Sequence, residues 1–322
     1  MDFQLSDDQR ALRSGMRDLL GAAFDRDGLR AAVERGGGVD RGLWRELGAA
    51  GFFALRLPEE SGGVGLGLPE AVLLFEEAGR ALLPGPLVAT HLATGLVKGA
   101  AEGEAVVTAS QGGGLPVADL RGADAVLVAG GVLTGEELAA FVAGARPVRS
   151  MDPLTPLHRA EGLVAAAEAY PGALRGEGAL LTAAEQLGSA ARTTEMAVQH
   201  ARTREQFGSL IGSFQAVKHL CADMLARTEP ARGAVYAAAV TGDPVEIAAA
   251  KLLADDAAVR NARDCLQIHG GMGFTWEADV HLHLKRAWLR AARWLSAAEA
   301  EEILAAGLGP VRPLYGGSAA LG

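Results

Sequence analysis

The sequence predicts a mainly α-helical protein with a small β-rich section in its middle. Three observations predict it. Apolar residues recur at the helical period up to about residue 100; short apolar runs broken by glycine and proline occupy roughly 104–170; and the helical period returns in long Ala- and Leu-rich segments from about 176. A chain of 322 residues exceeds the size of one hydrophobic core. It is expected to divide into a helical unit over 1–103, a reduced β-rich unit over 104–172 and a four-helix bundle over 173–322.

The first helix is expected near Asp7, because Ser6 and Gln9 form a Ser-x-x-Gln capping pattern and Leu12, Met16, Leu19 and Leu20 follow at helical spacing. Gly36-Gly37-Gly38 punctuates the chain before a second helical stretch with Trp44, Leu47 and Phe52. Pro58-Glu59-Glu60-Ser61-Gly62-Gly63, with Gly65 and Gly67, makes a loop. Residues 69–83 form an amphipathic helix through Val72, Leu73, Phe75, Glu76, Ala78 and Leu82, stopped by Pro84-Gly85-Pro86. In the middle, Ala105-Val106-Val107 and Ala125-Val126-Leu127-Val128 read as strands joined by turns. Four helical segments follow, at 177–203, 213–240, 244–270 and 278–305, and suit an antiparallel bundle.

Composition removes several function classes. A hydrophobic content of 49% with 21% charged residues excludes disorder. The excess of 39 acidic over 30 basic residues, a net charge of -9, leaves no basic footprint for nucleic acid or an anionic membrane. No apolar run reaches membrane-spanning length, and Met1-Asp2-Phe3-Gln4-Leu5 lacks the basic start of a signal peptide, so the cytoplasm is the expected location. Cys221 and Cys265 both sit in apolar helical patterns and read as reduced core thiols. His281 and His283 are two residues apart, on different sides of a helix, and no metal site is expected.

The chemistry-bearing residues gather in two segments. One is Arg202-Thr203-Arg204-Glu205-Gln206-Phe207-Gly208, continued by Ile211-Gly212-Ser213-Phe214-Gln215-Ala216-Val217-Lys218-His219; the other is Asp264-Cys265-Leu266-Gln267-Ile268-His269-Gly270-Gly271-Met272-Gly273-Phe274. Arg204 offers a two-pronged fork for a phosphate, Gln206, Gln215 and Gln267 offer amides, and Phe207 offers an apolar face to a ring. Gly270 and Gly271, lacking a Cβ, allow a ligand close to the backbone. Taken singly, Arg204 is also readable as a solvated helix-end charge and the double glycine as a helix C-cap.

In this order and at this separation, the two segments resemble the C-terminal domain of the acyl-CoA dehydrogenase family. Pro58-Glu59-Glu60-Ser61-Gly62-Gly63-Val64-Gly65 with Phe75-Glu76-Glu77-Ala78-Gly79-Arg80 is similar to the family's first domain, and Met151-Asp152-Pro153 to its exit from the middle domain. The resemblance implies an FAD whose adenine and pyrophosphate end is held by a neighbouring subunit. Arg204, Gln206, Phe207, Gln215, Gln267, Gly270 and Gly271 are the matching positions. It further implies an acyl-CoA thioester as substrate, α,β-dehydrogenation as reaction and an electron-transfer acceptor as partner.

The chain also departs from the family. No Trp-x-Thr segment follows Val107-Thr108-Ala109-Ser110-Gln111, and no tryptophan lies between Trp44 and Trp276. The aromatic-Glu-Gly-Thr segment that carries the catalytic glutamate in many members is absent from Lys285-Arg286-Ala287-Trp288-Leu289-Arg290-Ala291-Ala292-Arg293-Trp294-Leu295. A minority of members place that glutamate on the helix before Arg-x-x-Phe-Gly, where this chain has Gly178, preceded by Glu177; Glu185 lies two turns on, open to reading as a base or as a paired structural carboxylate. Glu277 reads as a helix N-terminal charge. Three roles follow: a shortened subunit, similar to those of actinobacterial heterotetrameric (α2β2) acyl-CoA dehydrogenases, lending half an FAD site to a full-length partner; a self-sufficient homotetramer; or a non-catalytic scaffold.

Overall fold

Ser6 opens the first helix as its capping pattern predicts: its hydroxyl accepts from the Gln9 N–H, and the Gln9 side chain accepts from the Ser6 N–H, both at 3.1 Å. The computed structural model describes residues 4–112, 114–129, 131–160 and 172–308. Met1 to Phe3, Gly113 and the 161–171 link into the C-terminal helices lie outside the described residues. The N-terminal layer consists of α1 (Asp7–Ala23), α2 (Arg26–Glu34), α3 (Arg41–Ala49), α4 (Leu68–Ala81) and α5 (Leu87–Leu92). Two of these were not expected. Helix α2 starts at Asp25, whose carboxylate accepts from the Gly28 N–H at 2.9 Å, and α5 is only six residues long, too short to show a period. Trp44, Phe52, Phe53 and Phe75 form a buried ring cluster with centroids 4.8, 5.2 and 5.0 Å apart in successive pairs.

The middle holds β1 (Val107–Ala109), β2 (Val117–Ala118), β3 (Ala125–Val128), β4 (Gly131–Leu133), α6 (Gly135–Ala143), β5 (Ala145–Val148) and β6 (Leu157–Ala160). They make two three-stranded sheets, ordered β1-β3-β4 and β2-β6-β5. Strands β1 and β3 pair in parallel with Val107 opposite Ala125, so the two apolar runs read from the sequence lie side by side. Helix α6 corrects the expectation of strands and turns alone. It contributes Phe141 to a small core with Val117, Leu120, Val126 and Ala145, and one buried position is too little to leave a helical period in the sequence.

The C-terminal part comprises α7 (Gly172–Thr203), a small hairpin of β7 (Glu205–Gln206) and β8 (Ser209–Leu210), α8 (Gln215–Thr241), α9 (Pro244–His269), α10 (Val280–Ala291) and α11 (Ala297–Gly307). The single helix expected over 278–305 is two. The chain breaks where Trp294 takes a φ of 62°, and Ser296 with Glu299 begins α11 through a second capping box. Helix α7 is the axis of the molecule. At Gly79 on α4 and Gly188 on α7 any Cβ would overlap the backbone of the facing helix, so the two helices touch main chain to main chain. Buried polar groups fix the register of the rest: Gln186 Nε2 donates to Asp255 Oδ1 and to the Ala287 carbonyl, each at 2.9 Å, and Lys251 pairs with Asp255.

Candidate functional site

Two places carry chemistry, one at the end of the bundle and one where the three parts of the fold meet. At the bundle end, the last turns of α7 and α9 run side by side: the rings of His200 and His269 stack with centroids 4.1 Å apart and planes 17° from parallel. Arg204 to Phe207 and Gly270 to Gly271 therefore leave the bundle next to each other. Gln215 joins them because the Ile211 N–H donates to the Arg204 carbonyl at 2.8 Å, folding the hairpin back before α8 begins. Arg204, Gln206, Phe207, Gln215, Gln267, Gly270 and Gly271 are all exposed.

Several features of this surface are unusual for a helix end. Phe207 is 93% exposed and holds a φ of 54°, with its ring edge-on to Phe214 at 6.2 Å. Around Gly270 and Gly271 there is open space where a side chain would stand. The imidazole of His200 is pushed below its usual pKa by burial, then by His269 and by the Arg204 cation, so it adds no charge of its own near neutral pH. Below the surface the thiol of Cys265 is raised to about 12, chiefly by burial, and is an inert core group. A guanidinium, three exposed amides and accessible glycine backbone are a donor set suited to the diphosphate of a dinucleotide, and they cover it from one side.

The second place is a cleft between the start of α5, the end of β1, the turn after β2, and helices α7 and α10. Its cavity is about 90 Å³. Glu185 on α7 lines it and accepts from Arg290 Nη2 at 2.7 Å, with the two side chains each 7% exposed. Burial raises the Glu185 carboxyl and lowers the Arg290 guanidinium to about 10; desolvation opposes both charges while their attraction sustains them. Arg286, one turn earlier on α10, pairs with the fully buried Asp152 and donates to the Leu83 carbonyl at 3.1 Å. Thr108 also lines the cleft, but its hydroxyl donates to the Ala118 carbonyl at 2.6 Å and serves the sheet.

Gly178 sits where a glutamate would stand in a minority of family members. A Cβ at that position would overlap the indole of Trp294, which lines the cleft and whose N–H donates to Gln111 Oε1 at 2.8 Å. The ring occupies the space that a longer side chain at 178 would need. Glu177 points elsewhere and forms a bidentate pair with Arg56 at 2.7 and 3.1 Å. Glu277 gives only its carbonyl, to Arg26, at 2.7 Å.

Sequence reasoning missed Asp119, Asp152, Arg286 and Arg290. Arg286 and Arg290 share the i, i+4 face of α10 with Leu282 and Ala287, which are fully buried. Two arginines on an apolar stripe were the available signal. Asp119 and Asp152 had none, since short loops bring them in from far along the chain.

The family models named "Acyl-CoA dehydrogenase, N-terminal domain" and "Acyl-CoA dehydrogenase, C-terminal domain" match residues 6–102 and 175–300. The chain is 36% identical over 296 residues to the acyl-CoA dehydrogenase IpdE2 of Mycobacterium tuberculosis, an alignment spanning 87% of this chain and 91% of that protein. Among solved structures, the butyryl-CoA dehydrogenase from Megasphaera elsdenii superposes with a TM-score of 0.80 at 18% identity, covering 96% of this chain and 100% of that one. A chain of the ChsE4-ChsE5 complex from Mycobacterium tuberculosis superposes with a TM-score of 0.77 at 23% identity, covering 97% and 100%. Structural likeness at these identities shows the fold; the sequence match over most of both chains shows the kinship. The chain belongs to the acyl-CoA dehydrogenase family.

Proposed function

We propose that this chain is a subunit of an FAD-dependent acyl-CoA dehydrogenase, lending the adenine and pyrophosphate half of an inter-subunit FAD site to a homologous catalytic partner. Members of the family are flavoproteins that oxidise the α,β bond of acyl-CoA thioesters, and the bound flavin supplies the redox step by taking up hydride. This chain's residues bind and orient. Arg204 grips a phosphate, Gln206, Gln215 and Gln267 donate to the diphosphate and ribose, Gly270 and Gly271 admit the backbone to close contact, and Phe207 covers a ring.

The observation that carries the reading is a contrast. All seven bundle-end residues face outward on one surface, whereas the chain's own cleft is about 90 Å³, well under the ~300–1,000 Å³ of ordinary ligand pockets. Trp294 fills the space against Gly178 and Arg290 engages Glu185. A heteromer also accords with the solved ChsE4-ChsE5 complex, whose chain shares the fold. The self-sufficient homotetramer draws on one observation, that burial raises the Glu185 carboxyl at the cleft wall as a general base requires; its Arg290 partner favours the structural role.

The test is to express the chain alone and with a homologous full-length subunit, then record the flavin spectrum and mass of each assembly. Flavin retained only by the mixed assembly supports the proposal, and a yellow homotetramer that turns over an acyl-CoA overturns it. Arg204→Ala should weaken flavin retention about tenfold or more, from loss of a charged hydrogen bond of ~1.5–3 kcal/mol. Because Arg204 is exposed, melting of the flavin-free protein should barely move. Equal losses in both measurements assign the arginine to structure.

A further inference from the structure

The cleft is lined by the wrong chemistry for an apolar acyl chain. Arg286, Arg290, Arg293 and Asp119 converge on it. Arg286 is 3% exposed, Arg290 6% and Asp119 4%, yet Arg286 Nη2, Arg290 Nη1 and Asp119 Oδ1 have no hydrogen-bond partner in the protein. A buried polar atom left unpaired costs ~1–3 kcal/mol, more when it is charged. Three such atoms around one cleft that opens to solvent are explained by a ligand that engages them. Asp119 is also held in left-handed backbone, with a φ of 53°, and Trp294 across the cleft has a φ of 62°. Strain of this kind clusters at binding sites.

The charges select the ligand. Arg286 is answered by Asp152 and Arg290 by Glu185. Asp119, the third acid facing the three arginines, is a poor counter-ion: burial lifts its carboxyl to about 7, against the pull of Arg286 and Arg293 and with the push of Asp152. Below that pH the cleft carries one positive charge more than negative, and a protonated Asp119 has an O–H to donate.

We propose that this cleft binds the carboxylate of a small organic acid. A carboxylate has the single charge, the planarity that matches guanidinium N–H pairs, and a size suited to about 90 Å³; a phosphate dianion brings excess charge. The acid is either free or the far end of an acyl thioester, and the two sources share this chemistry. The site goes beyond the flavin reading, because it is measured on flavin-free protein and stands or falls without it.

The experiment is isothermal titration calorimetry of the full chain in a carboxylate-free buffer at constant ionic strength. The probes are acetate, propionate, succinate, inorganic phosphate and chloride. The expected result is saturable binding of a carboxylate, weakened at least tenfold by Arg293→Gln. Affinity should also fall about tenfold between about pH 6 and about pH 8, as Asp119 with its pKa of about 7 loses its proton.

The other charged groups around Asp119 are the Arg286–Asp152 and Arg290–Glu185 pairs, Arg293, Arg121 in the same turn, and His158 on β6. Burial, then Arg121, pushes the pKa of His158 down, so it stays neutral over that range. Asp119→Asn should therefore bind with little pH dependence. A fall unchanged in that variant, no saturable heat up to ~10 mM acid, or equal binding of chloride and phosphate overturns the proposal. Tighter binding of succinyl-CoA than of succinate assigns the carboxylate to a thioester substrate, and the reverse assigns it to a free effector.

Discussion

Gly178 decides more at its position than any side chain could. In sequence it is a glycine where some relatives carry an acid; in the fold it is the floor under Trp294. Gly178→Ala forces the indole or the helix to shift and should cost ~1–3 kcal/mol by overpacking, read as a lower denaturation midpoint. An unchanged midpoint would mean that the ring moves freely. Asp119 gives the pH-dependent counterpart. Its folded pKa of about 7 lies above the ordinary 3.8, so the native state holds a proton that the unfolded state releases. The associated stability is complete below about pH 4 and is lost as pH rises through about 7. At ~1.4 kcal/mol per unit the loss is capped near ~4 kcal/mol. Asp119→Asn should therefore melt above wild type at about pH 8, by a margin that shrinks towards about pH 5; a constant margin would sink this account.

At the scale of the element, glycine shows why much was readable and some was not. Gly188 on α7 and Gly233 on α8 look alike in the sequence, each inside an Ala-rich helical run. A Cβ at 188 would collide with the Glu76 carbonyl, and one at 233 would meet nothing. Gly→Ala in a helix is worth ~0.5–1 kcal/mol intrinsically. Gly233→Ala should thus stabilise by about that amount, while Gly188→Ala should lose more than ~1 kcal/mol net, because backbone cannot step aside. Thermal melts of the two variants check the contrast.

The long helices α7, α8 and α9 were readable because their periods span many turns, and α1 because Ser6 and Gln9 mark its start. The break after α10 was not, because Ala and Leu run through it; Ser296-x-x-Glu299 was the sign. Helices α5 and α6 bury too few residues to imprint a period. The bundle-end residues could be picked out because they lie close together within two segments. The cleft could not, since Asp119, Asp152, Glu185 and Arg290 meet only through folding.

For the whole molecule, no helix among the described residues is long and apolar enough to cross a membrane. Its exposed large apolar residues include Phe207, Phe274, Trp276 and Trp288, all on the C-terminal part that carries the bundle end. Arg286 has a consequence at this scale. From α10 it reaches Asp152 after β5 and the Leu83 carbonyl at the end of α4, joining all three parts through one side chain. Removing one partner of a buried ion pair typically costs ~3–5 kcal/mol. Asp152→Asn should accordingly turn one calorimetric transition into two, with the strand section melting first. A single, merely lowered peak would place the cohesion in the apolar contacts instead. If the split is seen, this arginine is the rivet that makes three modules denature as one cooperative body, and damage anywhere along the polypeptide is then felt at the flavin-facing end.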